Sequence, residues 1–187
     1  MSALHLEPKE SVILVVDVQE RLFAAMPELA GTDLVRSGTA LLEAAAFLGV
    51  EVIATEQYPE KLGPTIAPLA QRLDSLSAPR ISKLSFSACQ ELAFDSALSA
   101  TSRKQIILIG METHICVYQT ARDLAGRGFT VHVPIDGVAS RRDDHRAAGL
   151  DLCRAAGATL TTTETVLFDW LGRAGTEEFK KVSKLIK

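Results

Sequence analysis

Short, unbroken apolar runs alternate along this chain with longer stretches whose apolar residues recur at helical spacing. "SVILVVD" reads as a buried strand, followed by the short helical pattern "QERLFAAM". The long helix "PELAGTDLVRSGTALLEAAAFLG" closes at Gly49. "VEVIATE" is a second strand, "TIAPLAQRL" a helix and "PRISK" a weak third strand. "SACQELAFDSALSAT" reads as a helix with a capping box at Ser87 and Gln90. "QIILIG" is the most apolar strand; it is expected to stop at Gly110 and to give way to the helix "THICVYQTARDLAGRG". "FTVHVPID", the helix "RRDDHRAAGLDLCRAAG" and the short strand "ATLTT" follow, then a helix with a second capping box at Thr161 and Glu164. A last helix carries the basic end "KKVSKLIK", which reads as one solvated helix face.

Strands that alternate with helices imply a parallel sheet covered on both faces, and the continuous Val/Ile/Leu runs suit strands buried on both sides. No linker, internal repeat or low-complexity tract interrupts the pattern. The expectation is one three-layer α/β/α domain over residues 1–187.

Composition narrows the function classes. Apolar residues make up 47% and charged residues 23%, an ordinary globular balance. The formal net charge is -3 and no Lys/Arg block stands out, so a nucleic-acid surface is not expected. "MSALHLEPKE" lacks a basic region followed by an apolar core, so no signal peptide is expected. No apolar run reaches the about 20 residues needed to span a bilayer. Cys89, Cys116 and Cys153 are odd in number and lack CxxC spacing, which argues against a disulfide framework or a thiolate zinc site. A cytoplasmic setting is the simplest expectation.

In open parallel sheets, ligands sit outside the carboxyl ends of the strands. The polar residues that follow strands are Asp17; Glu56, Gln57 and Tyr58; Lys83; Glu112, Thr113, His114 and Cys116; and Asp136 and Ser140. An acid, a cation and a thiol thus fall on one rim. With Thr113 as a cap, Cys116 lies in the first turn of a helix, where unpaired N–H groups and the helix dipole lower a thiol's pKa. A free cysteine is also often a buried, inert thiol, and that is the reading for Cys89 and Cys153 inside amphipathic helices. Asp17 is either the cap of "QERLFAAM" or a general base, and Lys83 is either a surface or a buried cation. The three together are more specific than any one.

At these residues the chain resembles the isochorismatase-like cysteine hydrolase superfamily over nearly its whole length. The matching segments are "ILVVDVQERLF" with Asp17, "ISKLSFSA" with Lys83 and "LIGMETHICVYQTARDLAGRGFTVHVPIDGVASR" with Cys116. "TEQYPEKLGPT" is similar to the subgroup of isochorismatase domain-containing proteins. The resemblance implies a six-stranded parallel sheet of order 3-2-1-4-5-6. It also implies a catalytic triad of Cys116, Asp17 and Lys83 working through a thioester acyl-enzyme. A cis peptide at Met111–Glu112 would aim the Glu112 N–H, with that of Cys116, at an oxyanion. The substrate class is a small amide or carbamoyl compound, and the assembly a homo-oligomer.

Two departures sharpen this. Nicotinamidases of the superfamily bind a metal through an Asp-x-His and a further His after strand two, where this chain has no histidine. True isochorismatases lack the nucleophilic cysteine that this chain has. A metal-independent hydrolase without cofactor is therefore expected. His5, His114, His132 and His145 show no paired ligand spacing. The "RRDDH" run reads as helix-start acids, and neither a dinucleotide loop nor a GxxxxGK segment occurs. Gln19, Phe23, Gln57, Tyr58, Phe86 and His114 are candidate pocket walls, each equally readable as rim packing. Two rivals keep the fold without the hydrolysis: an oligomeric binding scaffold, favoured by an occluded pocket, and a thiol redox sensor, favoured by a peroxide-reactive Cys116.

Overall fold

The computed structural model describes residues 4–186. The strands are β1 (Ser11–Val16), β2 (Glu51–Gln57), β3 (Arg80–Lys83), β4 (Gln105–Met111), β5 (Thr130–Pro134), β6 (Val138–Ala139) and β7 (Thr159–Thr161). All pairings among them are parallel, in the order β3-β2-β1-β4-β5-β7, with β6 paired to β4 beyond the end of β5. The six principal strands follow the expected order. The seventh, β6, is two residues long, too short to leave a periodic signal in the sequence.

The helices are α1 (Glu20–Phe23), α2 (Glu28–Leu48), α3 (Pro59–Leu62), α4 (Ala67–Ser75), α5 (Leu92–Thr101), α6 (Tyr118–Gly126), α7 (Asp143–Ala155), α8 (Thr163–Leu171) and α9 (Glu177–Leu185). β1 shows why its run is unbroken: Ile13 and Val15 join one core with α2, α4, α8 and α9, while Val12, Leu14 and Val16 join the other with α5, α6 and α7. A strand buried on both faces has no polar face to alternate with. α2 ends as expected at Gly49, which takes the left-handed conformation and returns its N–H to Ala45 O.

Local expectations fail at four places. The Ser87–Gln90 segment is a single 3-10 turn (Ala88–Gln90) without a side-chain cap, and α5 begins two residues later. The second capping site lies one residue further on than expected: Thr162 Oγ1 accepts the Thr165 N–H at 3.1 Å. β4 runs through Gly110 to Met111 rather than stopping at the glycine. The segment after it opens as a π-helical turn, Thr113–Val117, before α6 begins. No helix among the described residues is long and apolar enough to cross a membrane.

Candidate active site

The rim formed by the carboxyl ends of β1, β3 and β4 collects three reactive side chains. Asp17 follows the last residue of β1 and holds φ at +53°, a conformation that non-glycine residues rarely adopt and that recurs at functional sites. Its N–H continues the ladder to Thr55 O at 3.1 Å. Its carboxylate turns inward, where Oδ1 accepts the Thr55 hydroxyl at 2.8 Å. Of the two roles open to it from sequence, capping is excluded: α1 starts at Glu20 with Gln19 at its N-cap position and no side-chain cap bond.

Lys83 ends β3 and points into the protein. Its ammonium lies 2.7 Å from Asp17 Oδ2, with both side chains sealed from solvent. It also donates to Gln57 Oε1 at 2.6 Å, Phe86 O at 3.0 Å and Ser85 O at 3.2 Å. The Asp17 contact is an ion pair out of hydrogen-bond alignment, which leaves Oδ2 free to meet another donor. The Cys116 thiol is in hydrogen-bonding range of both Asp17 and Lys83.

The thiol reaches that position through a turn built by long-range contacts. Gly110 has φ +141°, and a Cβ there would fall 2.1 Å from Val16 O, so only glycine lets β4 lie this close to the end of β1. The Met111–Glu112 peptide is cis. The π turn is then pinned from outside: Ser140 Oγ accepts the Thr113 N–H at 3.1 Å and meets His114 Nδ1 at 3.2 Å. Gly149 of α7 packs so tightly against it that a Cβ would sit 2.6 Å from the His114 nitrogen. Thr113 does not cap the turn, and its hydroxyl has no partner among the described residues.

Burial decides the electrostatics of Cys116. The sequence suggested that a helix start and Lys83 would favour the thiolate. Desolvation, reinforced by the Asp17 charge, outweighs Lys83 and pushes the thiol up to about 12. The resting form is therefore a neutral thiol beside a carboxylate paired with lysine. Burial alone pushes Cys153 up to about 12; it pushes Cys89 up to about 11 against the Arg127 charge, and the Arg127–Asp95 pair near Cys89 is open to solvent, unlike Asp17–Lys83.

The six candidate pocket residues divide. Gln19 is wholly buried and its amide is spent on backbone: Nε2 donates to Gln57 O at 3.0 Å and Gly63 O at 2.7 Å, and Oε1 accepts the Gln57 N–H at 2.7 Å. Gln57 reaches Lys83 rather than open space. Phe23 packs against the α2 side of the core. Tyr58 and Phe86 are exposed at the rim, and Tyr58 begins the wall of an open 480 Å³ cavity that runs through Pro59, Glu60 and Ser82–Ser85 to Glu91. His114 packs its ring 4.6 Å from that of His145, and burial lowers its pKa. The Glu112 side chain pairs with Arg141.

Thr55 had not been singled out from sequence, and Arg141 and His145 were read only within the "RRDDH" run and as a histidine without ligand spacing. Thr55 carried a usable signal, as a hydroxyl directly after the apolar run Val52, Ile53 and Ala54 of the strand that neighbours β1. Asp136, by contrast, is occupied elsewhere: it accepts the Thr163 N–H at the start of α8. The Glu56 carboxylate is taken by the Thr65 N–H at 2.8 Å and the Thr65 hydroxyl at 2.7 Å.

Comparison with known proteins gives the family and the fold. Residues 11–165 match the isochorismatase domain family. The chain is 35% identical over 185 residues to the secreted isochorismatase effector Isc1 of Phytophthora sojae, covering 98% of this chain and 87% of that protein. It is 36% identical over 182 residues to isochorismatase domain-containing protein 2 of Danio rerio, covering 97% and 89%. Among solved structures, one described as MAR1 ribonuclease from Caenorhabditis elegans superposes with a TM-score of 0.90 at 34% identity, covering 97% of this chain and 92% of that one.

Proposed function

The chain belongs to the isochorismatase domain family, and on that premise we propose that it is a metal-independent cysteine hydrolase that cleaves a C–N bond of a small amide or carbamoyl compound. The observation that carries the reading is the solvent-free Asp17–Lys83 ion pair with the Cys116 thiol in hydrogen-bonding range of both. A buried ion pair seldom adds net stability over apolar packing, so its presence at a strand-end rim favours a chemical role.

In the proposed cycle Asp17 takes the thiol proton as Cys116 sulfur bonds to the substrate carbonyl carbon. Lys83 balances the negative charge that passes between the two. The resulting oxyanion is held by the backbone N–H groups of Glu112 and Cys116. Collapse breaks the C–N bond, and the proton on Asp17 leaves with the amine. Asp17 then removes a proton from water, the hydroxide attacks the thioester carbonyl, and the C–S bond breaks to return the thiol and release the acid. A high resting thiol pKa suits this cycle, because ionisation is coupled to attack rather than completed beforehand.

The same feature weighs against the redox-sensor reading, since peroxide reacts with exposed thiolates and Cys116 is a buried thiol. The scaffold reading draws on burial too, for Cys116 is only 6% exposed and a substrate must enter by a narrow opening. A homo-oligomer in the cytoplasm remains part of the proposal. Leu84, Phe86 and Leu92 are apolar, exposed and close in sequence at one rim, a surface that a second copy would cover. Light scattering on the purified chain measures the assembly.

The test is a panel of small amides, ureides and carbamoyl compounds, assayed with wild type and Cys116→Ala after chelation of metals. Turnover by wild type alone, with an acyl adduct on Cys116 in quenched samples, is expected. Turnover that survives Cys116→Ala, or that needs added zinc, would overturn the reading.

A further inference from the structure

We infer that Gln57 is a positioning residue, whose side-chain amide holds the Lys83 ammonium against Asp17 and so sets how readily Cys116 ionises. The inference rests on the proposed triad but concerns a residue outside it.

Gln57 stands opposite Lys83 in the parallel register of β2 and β3. Its Oε1 accepts from Lys83 Nζ at 2.6 Å, and its Nε2 donates to Leu84 O at 2.8 Å. The second bond fixes the first. A flipped amide would set its NH2 against the ammonium and its oxygen against a carbonyl, so only one orientation satisfies both ends. The backbone is equally constrained, since Gln19 binds both the N–H and the C=O of Gln57. Next along the chain, Tyr58 N–H donates to Lys83 O at 2.9 Å, with Tyr58 held at φ +39°.

An ammonium has three protons, and in a solvent-free site each needs an acceptor. The carbonyls of Ser85 and Phe86 lie on the loop after β3 and Gln57 on the neighbouring strand, so the amide is the acceptor that ties Lys83 to the sheet itself. It is also neutral. A carboxylate in its place would compete with Asp17 for the cation and add negative charge near the thiol; an apolar side chain would leave the ammonium only Asp17 and the two loop carbonyls, without its tie to the sheet, and so shift its aim between Asp17 and the thiol.

The experiment reads Cys116 ionisation without needing a substrate. The second-order rate of iodoacetamide labelling at Cys116 is measured by mass spectrometry at mildly alkaline pH, in wild type, Gln57→Glu, Gln57→Leu and Gln57→Met, with thermal melts in parallel. The rate reports how easily the thiol gives up its proton, in advance or to Asp17 during attack; where it follows the thiolate fraction, each unit of upward shift slows labelling about tenfold. Gln57→Glu is expected to slow it about tenfold, and Gln57→Leu and Gln57→Met several-fold, with labelling of Cys89 and Cys153 unchanged. Melting shifts with unaltered Cys116 labelling in all three variants would make Gln57 merely structural and overturn the inference. Lys83→Met separates the two layers. If it slows Cys116 while the Gln57 variants do not, the inference fails and the triad stands; if it too has no effect, the triad reading fails with it.

Discussion

Lys83 Nζ lies 2.7 Å from Asp17 Oδ2, and solvent reaches neither side chain. Removing one partner of such a pair leaves an uncompensated buried charge and costs about 3–5 kcal/mol, whereas apolar replacement of both is often neutral. Asp17→Asn and Lys83→Met should therefore each lose about 3–5 kcal/mol in chemical denaturation. The double variant Asp17→Leu/Lys83→Met should recover most of that loss and remain inactive. A double variant less stable than either single one would mean that the pair serves the fold.

Brief iodoacetamide treatment should label Cys116 ahead of Cys89 and Cys153. Ionisation alone does not select it, because burial raises all three thiols, to about 12, about 11 and about 12 respectively. The selection comes from Asp17, which can accept the proton as the sulfur attacks. Peptide mapping decides, and preferential labelling of Cys89 would count against a base at Cys116.

The same three thiols predict loss of stability at alkaline pH. Each folded-state value lies above the ordinary 9.0, so between about 9 and about 12 the unfolded chain gives up thiol protons that the folded chain keeps. Their contribution is fully present below 9 and falls away as pH rises through the folded values. Melting temperature should decline across that window. Replacing the isolated Cys153 by Ala should flatten the decline, whatever its effect at neutral pH.

Two glycine substitutions should have opposite signs. A Cβ at Gly149 would sit 2.6 Å from the backbone of the turn that carries Cys116, so Gly149→Ala should cost about 1–3 kcal/mol and slow Cys116 labelling. At Gly126, exposed at the end of α6, a Cβ meets nothing within 4 Å, so Gly126→Ala should stabilise by about 0.5–1 kcal/mol and leave Cys116 unaffected. Equal effects of the two would remove the packing explanation.

The strands were legible because a run buried on both faces, such as "VILVV" or "IILI", needs only local apolar content to be seen. Asp17, Lys83 and Cys116 were legible as residues on a rim, through their place after strands and through the resemblance of the segments that carry them. What escaped is what distant residues decide. The π turn at Thr113–Val117 depends on Ser140 and Gly149, and no local pattern announces a contact that far along the chain. Thr161, Thr162 and Thr163 offer three adjacent caps, and α8 uses the second because Asp136 already serves the Thr163 N–H. Gln19 and Gln57 resembled pocket walls because both follow strands, yet each spends its amide on a neighbouring strand end or loop. For the thiol's pKa, the helix start and Lys83 on one side and Asp17 and burial on the other were legible as opposing influences; their balance was not, because the depth of burial is set by distant residues.

The pinned turn also has a consequence in time. Asp17, Lys83 and Cys116 are contributed by three separate strands, and the turn that carries the sulfur is fastened by residues as late as Ser140 and Gly149. While the chain is being synthesised, Cys116 emerges before its own fastenings exist, with an ordinary thiol's reactivity and no paired base. Only when α7 docks is the same sulfur held where burial and Asp17 raise its pKa and where, in the proposed cycle, Asp17 takes its proton. On the proposed cycle, completion of the fold exchanges indiscriminate thiol chemistry for directed chemistry. A cell that makes this protein is exposed to a stray nucleophile for no longer than assembly of the last third of the sheet requires.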